Sequence, residues 1–103
     1  MKPHLLSPLL LVQQMLTGTP YTAFLFGSRA SGREHSKSDW DIAITGPQRL
    51  DSILLMEIEE AIEKANFLQP VDLVDVYTAP VRLKKEISKF SMENEKMALR
   101  SAR

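Results

Sequence analysis

Apolar positions in this chain change their spacing from helical to extended and back, and the changes mark out six elements. Ser7 before Pro8 predicts an N-cap followed by a first helical residue, a position where proline's missing amide has no partner to lose. The helix then runs from residue 8 to about 17 and stops at Gly18. Leu9, Val12, Gln13 and Leu16 share one side, and Leu10 and Leu11 broaden the apolar surface beyond a single stripe. That breadth fits deep burial or a face kept for a partner. Thr19-Pro20 turns the chain into a strand over 21–26. Its run Ala23-Phe24-Leu25-Phe26 does not alternate with polar residues, which predicts burial on both faces and a central place in a sheet.

Gly27-Ser28 breaks that strand. Residues 29–31 predict one helical turn ended by Gly32, and 33–38 a polar loop. A second strand over 39–44 alternates Asp39 and Asp41 with Trp40 and Ile42, and Thr45-Gly46-Pro47 closes it. The clearest helix spans 50 to about 65. Leu50, Ile53, Leu54, Ile58, Ala61, Ile62 and Ala65 line one side, with Glu57, Glu59, Glu60, Glu63 and Lys64 mainly opposite and Asn66 as its end. Pro70 precedes a third strand over 71–77, and Pro80 opens a last helix from 81 to about 90, where Val81, Leu83, Lys84, Ile87 and Phe90 give a weaker pattern. The order predicts a single α+β domain over residues 1–103. Its core, about 8–90, is a small mixed sheet packed with helices, and 91–103 is a charged tail.

Composition narrows the function classes. Thirteen basic residues balance thirteen acidic ones, which removes the simple case for direct binding to a nucleic-acid backbone. With no cysteine, disulfides, thiolate catalysis and cysteine-bound zinc are excluded, and a cytoplasmic location is the expectation. The apolar stretch LLSPLLLVQQML is broken by Ser7-Pro8 and polar at Gln13-Gln14. It falls short of the ~20 residues that cross a bilayer, so neither a signal peptide nor a membrane span is expected.

Chemistry concentrates between residues 24 and 44. Asp39 and Asp41, at i and i+2 on a strand, face the same way. A hard divalent cation wants oxygen ligands, and a Mg²⁺ site combines one or two carboxylates with substrate phosphates and water. Asp72 is the best third carboxylate, because it opens a neighbouring strand after a proline turn; Asp75 is its rival and faces the opposite way. Three carboxylates around metal suggest nucleotidyl transfer, with two metals offsetting charge as the α-phosphorus is attacked in line. Spacing alone leaves the alternative of a turn cap and edge charges. Gly27 lets backbone approach a phosphate, the amides after it can donate to one, and Ser28 adds a hydroxyl; a strand-ending turn has the same composition. Neither a Walker loop nor a dinucleotide-binding fingerprint is present. Arg33, His35 and Lys37 in the loop would draw in a nucleoside triphosphate, as would any solvated basic loop.

Gly27-Ser28, ten residues, then Asp39-Trp40-Asp41 spells GS-x10-DxD. With GSRASG, SDWD and the downstream PVDLV, the chain resembles the polymerase-beta-type nucleotidyltransferase superfamily, and within it the minimal nucleotidyltransferases of bacteria and archaea. The resemblance covers about residues 8 to 90. It implies that Gly27 and Ser28 hold the β- and γ-phosphates of the nucleotide, that Asp39 and Asp41 are shared metal ligands, and that Asp72 is the third catalytic and metal-binding carboxylate. Arg29 is implied as a phosphate contact. Similar proteins often read G-S-x-A-R-G; here Ala30 is followed by Ser31, and Arg33 is the nearest arginine to take that place.

The resemblance further implies Mg²⁺, ATP as nucleotide, and a small all-helical HEPN protein as partner. Many such pairs are toxin–antitoxin modules in which AMP is transferred to a tyrosine of the toxin. A chain this short has little room for an acceptor-binding domain, in keeping with an acceptor hydroxyl on a partner. The alternatives are a catalytically idle nucleotide-binding subunit that scaffolds a helical partner, and a homo-oligomerising module. Trp40, which faces away from Asp39 and Asp41, is expected in the core or against a partner.

Overall fold

The computed structural model describes residues 7–32 and 39–90. Helix α1 spans Pro8–Met15. Ser7 caps it by accepting a hydrogen bond from the Leu10 amide at 3.1 Å, and Pro8 begins it as its composition predicts. Strand β1 covers Thr22–Phe26, β2 covers Trp40–Thr45, and helix α2 covers Ser52–Ala65. The Asp51 carboxylate caps α2 by accepting from the Leu54 amide. Asn66 ends it in the left-handed conformation, φ 54°, which asparagine tolerates better than most residues. Strand β3 is Val71–Asp75; a 3₁₀ turn, Val76–Thr78, replaces the end of the predicted third strand, and helix α3 occupies residues 81–90.

The described strands form one sheet in the order β1-β2-β3. β1 and β2 pair antiparallel, and β2 and β3 pair parallel, joined by the α2 crossover that parallel neighbours require. The sheet is therefore mixed, with β2 in its centre. Strand β1 lies at an edge of this sheet, contrary to the central position predicted from its unbroken apolar run. Both of its faces are nevertheless buried, because helices cover the sheet on two sides.

Alternation along the strands sorts the core into two halves. On one face Tyr21, Ala23, Ile42 and Ile44 join Val12 of α1, its C-cap Leu16 and Ile58 of α2, with Trp40, Val71 and Leu73 packed around them. On the other, Phe24, Phe26 and Ala43 meet Ile87 of α3, with Val74, Leu83 and Phe90 around them. Gln13 of α1 donates from Nε2 to the Ala23 carbonyl at 3.1 Å, so the polar member of the predicted helix face serves the strand edge. Leu10, by contrast, remains exposed. No described helix is long and apolar enough to cross a membrane.

Asp75 ties the sheet to the entry of α2. Its Oδ2 accepts from the Leu50 amide at 2.9 Å and its Oδ1 from the Tyr77 amide at 3.1 Å. This carboxylate anchors the approach to α2 and caps the 3₁₀ turn. Asp75→Ala should therefore cost about 2 kcal/mol, as expected for losing hydrogen bonds to a charged group. Asp72→Ala, three residues earlier on the opposite face, should cost nothing measurable. Urea denaturation of the two variants beside the wild type checks the contrast.

Candidate active site

The site begins where β1 stops. Gly27 takes φ +77°, and residues 28–32 form a hydrogen-bonded turn in place of the predicted helical one. The Ser31 amide donates to the Gly27 carbonyl at 3.2 Å, the Ser31 hydroxyl donates to the Ser28 carbonyl at 3.1 Å, and Gly32, also at φ +77°, ends the turn. The leading amides of such a turn have no acceptor within it, the arrangement that suits a phosphate. A side chain at position 27 is blocked. A Cβ there would run into Asp41 Oδ2 and stand 3.2 Å from Asp41 Cγ. The absent methyl group is what lets the turn and the Asp41 carboxylate lie against one another.

The carboxylates come together through register. Phe26 of β1 pairs with Asp41, and Asp41 pairs with Asp72 of β3. Trp40 and Ile42, Val71 and Leu73 all belong to the core on the α1/α2 side, so alternation turns Asp41 and Asp72 to the opposite face. Asp39, exposed and immediately before β2, follows the same alternation. Asp75 belongs to the other face, where its backbone partners hold it. The choice of Asp72 over Asp75 thus rests on the pleat.

Burial raises the proton affinity of Asp41 above the usual carboxylate range, and the charges of Asp72, Asp39 and Glu86 raise it further, in that order. Glu86 on α3 is not singled out by sequence pattern. Its signal lies in its position: residues 83, 86, 87 and 90 share one helical stripe, and Leu83, Ile87 and Phe90 of that stripe pack on the sheet. Glu86 itself is exposed, so it lies at the rim of that face, from where its charge reaches Asp41.

These side chains suit a hard cation. Among the described residues no three acidic, histidine or cysteine side chains close on a common point. The donors are carboxylates clustered closely enough to repel one another, beside a turn able to take phosphate. Mg²⁺ characteristically draws one or two carboxylates from the protein and the rest of its shell from substrate phosphates and water. The donor set fits that habit.

Arg29 is placed differently from a freely extended phosphate ligand. Its guanidinium carbon lies 4.0 Å from the centroid of the Trp40 ring. That ring packs with the α1/α2 core, the side away from Asp39 and Asp41, as its alternation predicts. Arg33, with His35 and Lys37, lies outside the described residues, as does the charged tail.

Comparison with known proteins agrees with this geometry. Residues 13–93 match the family described as Polymerase beta, Nucleotidyltransferase. A probable protein adenylyltransferase MntA from Haemophilus influenzae is 33% identical over 69 residues, 67% of this chain and 60% of that protein. The protein adenylyltransferase MntA of Shewanella oneidensis is 36% identical over 64 residues, 62% of this chain and 45% of that one. The chain thus spans about half the length of the curated relatives it matches. Among solved structures, a toxin–antitoxin with AMP-PNP superposes with a TM-score of 0.58 at 25% identity, covering 89% of this chain and 91% of that one. A mutant of the toxin–antitoxin MntA-HpeT superposes with a TM-score of 0.55 at 27% identity, covering 86% and 88%.

Two outcomes follow from the packing of Gly27 and the charge on Asp41. Gly27→Ala should cost about 1–2 kcal/mol for the left-handed backbone alone and more for displacing the Asp41 carboxylate, which urea denaturation measures. For Asp41 the native state holds a proton more tightly than the unfolded state. Its contribution to stability is then present at low pH and lost as pH rises from the unfolded value through the raised folded one. In metal-free buffer Asp41→Asn should accordingly melt above the wild type at neutral pH. The gap should close as pH falls below the carboxylate range, which a series of melting curves would follow.

Proposed function

Because the chain belongs to the polymerase beta nucleotidyltransferase family, we propose that it transfers AMP from ATP to a hydroxyl, that of a tyrosine, on a small helical HEPN partner, as one half of a toxin–antitoxin module. The observation that carries this reading is the position of Asp41, set against the Gly27 backbone on one side and beside Asp72 in the register of β2 and β3 on the other. A turn fit for phosphates and a pair of carboxylates meet at a single side chain. The partner and the adenylyl group are supported by the adenylyltransferases that the chain resembles and by the toxin–antitoxin structures with its fold.

In this reading Gly27 and Ser28 take the β- and γ-phosphates, through backbone amides and the serine hydroxyl. Asp39, Asp41 and Asp72 would hold Mg²⁺, which when bound neutralises phosphate charge and activates the transfer. Asp72, at the exposed edge of the row, accepts the proton of the attacking hydroxyl. The acceptor oxygen bonds to the α-phosphorus, the bond to the bridging oxygen breaks, and pyrophosphate leaves. Arg33, outside the described residues, is the nearest arginine in sequence to the position two residues earlier where related sequences carry one, and would contribute charge for the phosphates.

The test is transfer of label from α-labelled ATP to any helical HEPN protein found encoded beside this one, with intact-mass analysis for an added adenylate. The wild type should label its partner, and Asp41→Asn and Asp72→Asn should each lower the rate by at least 10²-fold. Mg²⁺-dependent nucleotide binding without any labelling of the partner would instead make the chain an idle nucleotide-binding subunit.

A further inference from the structure

The Gly27-Ser28 turn and the Asp39–Asp41 segment are far apart in sequence, and the phosphate-transfer reading needs them at a fixed separation. Backbone pairing ends at Phe26 and Asp41, so beyond that point the ladder of β1 and β2 no longer sets it. Beside the close approach of Gly27 to Asp41, a side-chain contact joins the two segments. Arg29, two residues past Gly27, lies on the ring of Trp40, the residue between the two carboxylates, at 4.0 Å from its centroid. Trp40 itself is fixed: its amide donates to the Pro70 carbonyl at 2.9 Å, and its ring packs with the core beside Val71 and Leu73.

We propose that Trp40 is a positioning residue that, through Arg29, holds the phosphate-binding turn in register with Asp39 and Asp41. The inference rests on the nucleotidyltransferase reading of that site. Arg29 acts at the turn and Trp40 acts through Arg29; the ring touches neither nucleotide nor acceptor. The chemistry suits this task, since a guanidinium is attracted to an indole face by the ring's quadrupole and gains further from stacking as water is excluded. The indole Nε1–H is buried and has no hydrogen-bond partner among the described residues. The face of the ring therefore does the work, and an aromatic ring without that N–H should serve.

Calorimetric titration of the full chain with Mg²⁺ and AMP-PNP tests the inference, with melting temperature measured for every variant. Arg29→Met and Trp40→Leu should each weaken binding about three- to tenfold, the range that an interaction of this kind converts to. The double variant should be no weaker than the poorer single one, because both remove the same contact. Trp40→Phe should recover most of the affinity. Trp40 is the only tryptophan in the chain, so Arg29→Met should also shift its fluorescence. A lowered melting temperature with unchanged affinity, or additive losses in the double variant, would overturn the inference and leave the transferase reading standing. Wild-type binding with this pattern of variants, but no label on any acceptor, would defeat the transferase reading and leave the inference standing.

Discussion

The parallel register of β2 and β3 is the constraint on which the rest depends. It sets Asp41 beside Asp72, and like charges directly opposed on neighbouring strands are unfavourable. The sheet accepts the pair because the registers that follow bury apolar side chains on both faces, Ile42 with Leu73 and Ala43 with Val74. Three strands alone would be marginal. Helices on both sides make this sheet an interior, and its stability is concentrated away from the end where the carboxylates collect.

The two faces divide the labour. The α1/α2 side is a continuous core into which Ile42, Ile44, Val12 and Ile58 are fully buried. The α3 side covers Phe24, Phe26 and Ala43 with a single helix through Ile87, and the row Phe26–Asp41–Asp72 lies at the limit of that cover. Such a row is partly desolvated yet open to solvent. Desolvation makes its charges respond strongly to one another and to a cation, while access lets a cation and a phosphate arrive. Glu86 belongs to this boundary as well, carried by the same helical stripe that buries Ile87.

Local rules with one physical cause were readable from sequence. Ser7-Pro8 and Asn66 mark helix ends through capping and backbone freedom, and period-two alternation sets the shared face of Asp39 and Asp41, the candidate site beside Gly27-Ser28. What was not readable depends on partners distant in sequence. The apolar run of β1 predicts burial, which it has, but burial on two faces arises from helices as readily as from flanking strands, so its place at the edge was not encoded locally. Asp75 and Asp72 look alike in composition; only the neighbours of each, the Leu50 and Tyr77 amides for Asp75 and Asp41 for Asp72, separate an anchor from a site residue. Nothing in the local pattern pairs Arg29 with the ring of Trp40, eleven residues on, a contact that only the folded chain shows.

A chain with no formal net charge has no overall field to gather a cation, so a cation site must be built by concentrating acids locally. That concentration has a thermodynamic signature. Asp41's raised proton affinity comes first from burial, which disfavours an isolated charge, and then from the charges of Asp72, Asp39 and Glu86, which favour a positive charge in place of the proton. A metal ion bound only by the native state would then stabilise the fold by mass action, relieving the repulsion that the register imposes. The strain between Asp41 and its neighbours is therefore what a ligand can relieve, and the place where this fold departs from the most stable choice of residues is the place where its chemistry resides.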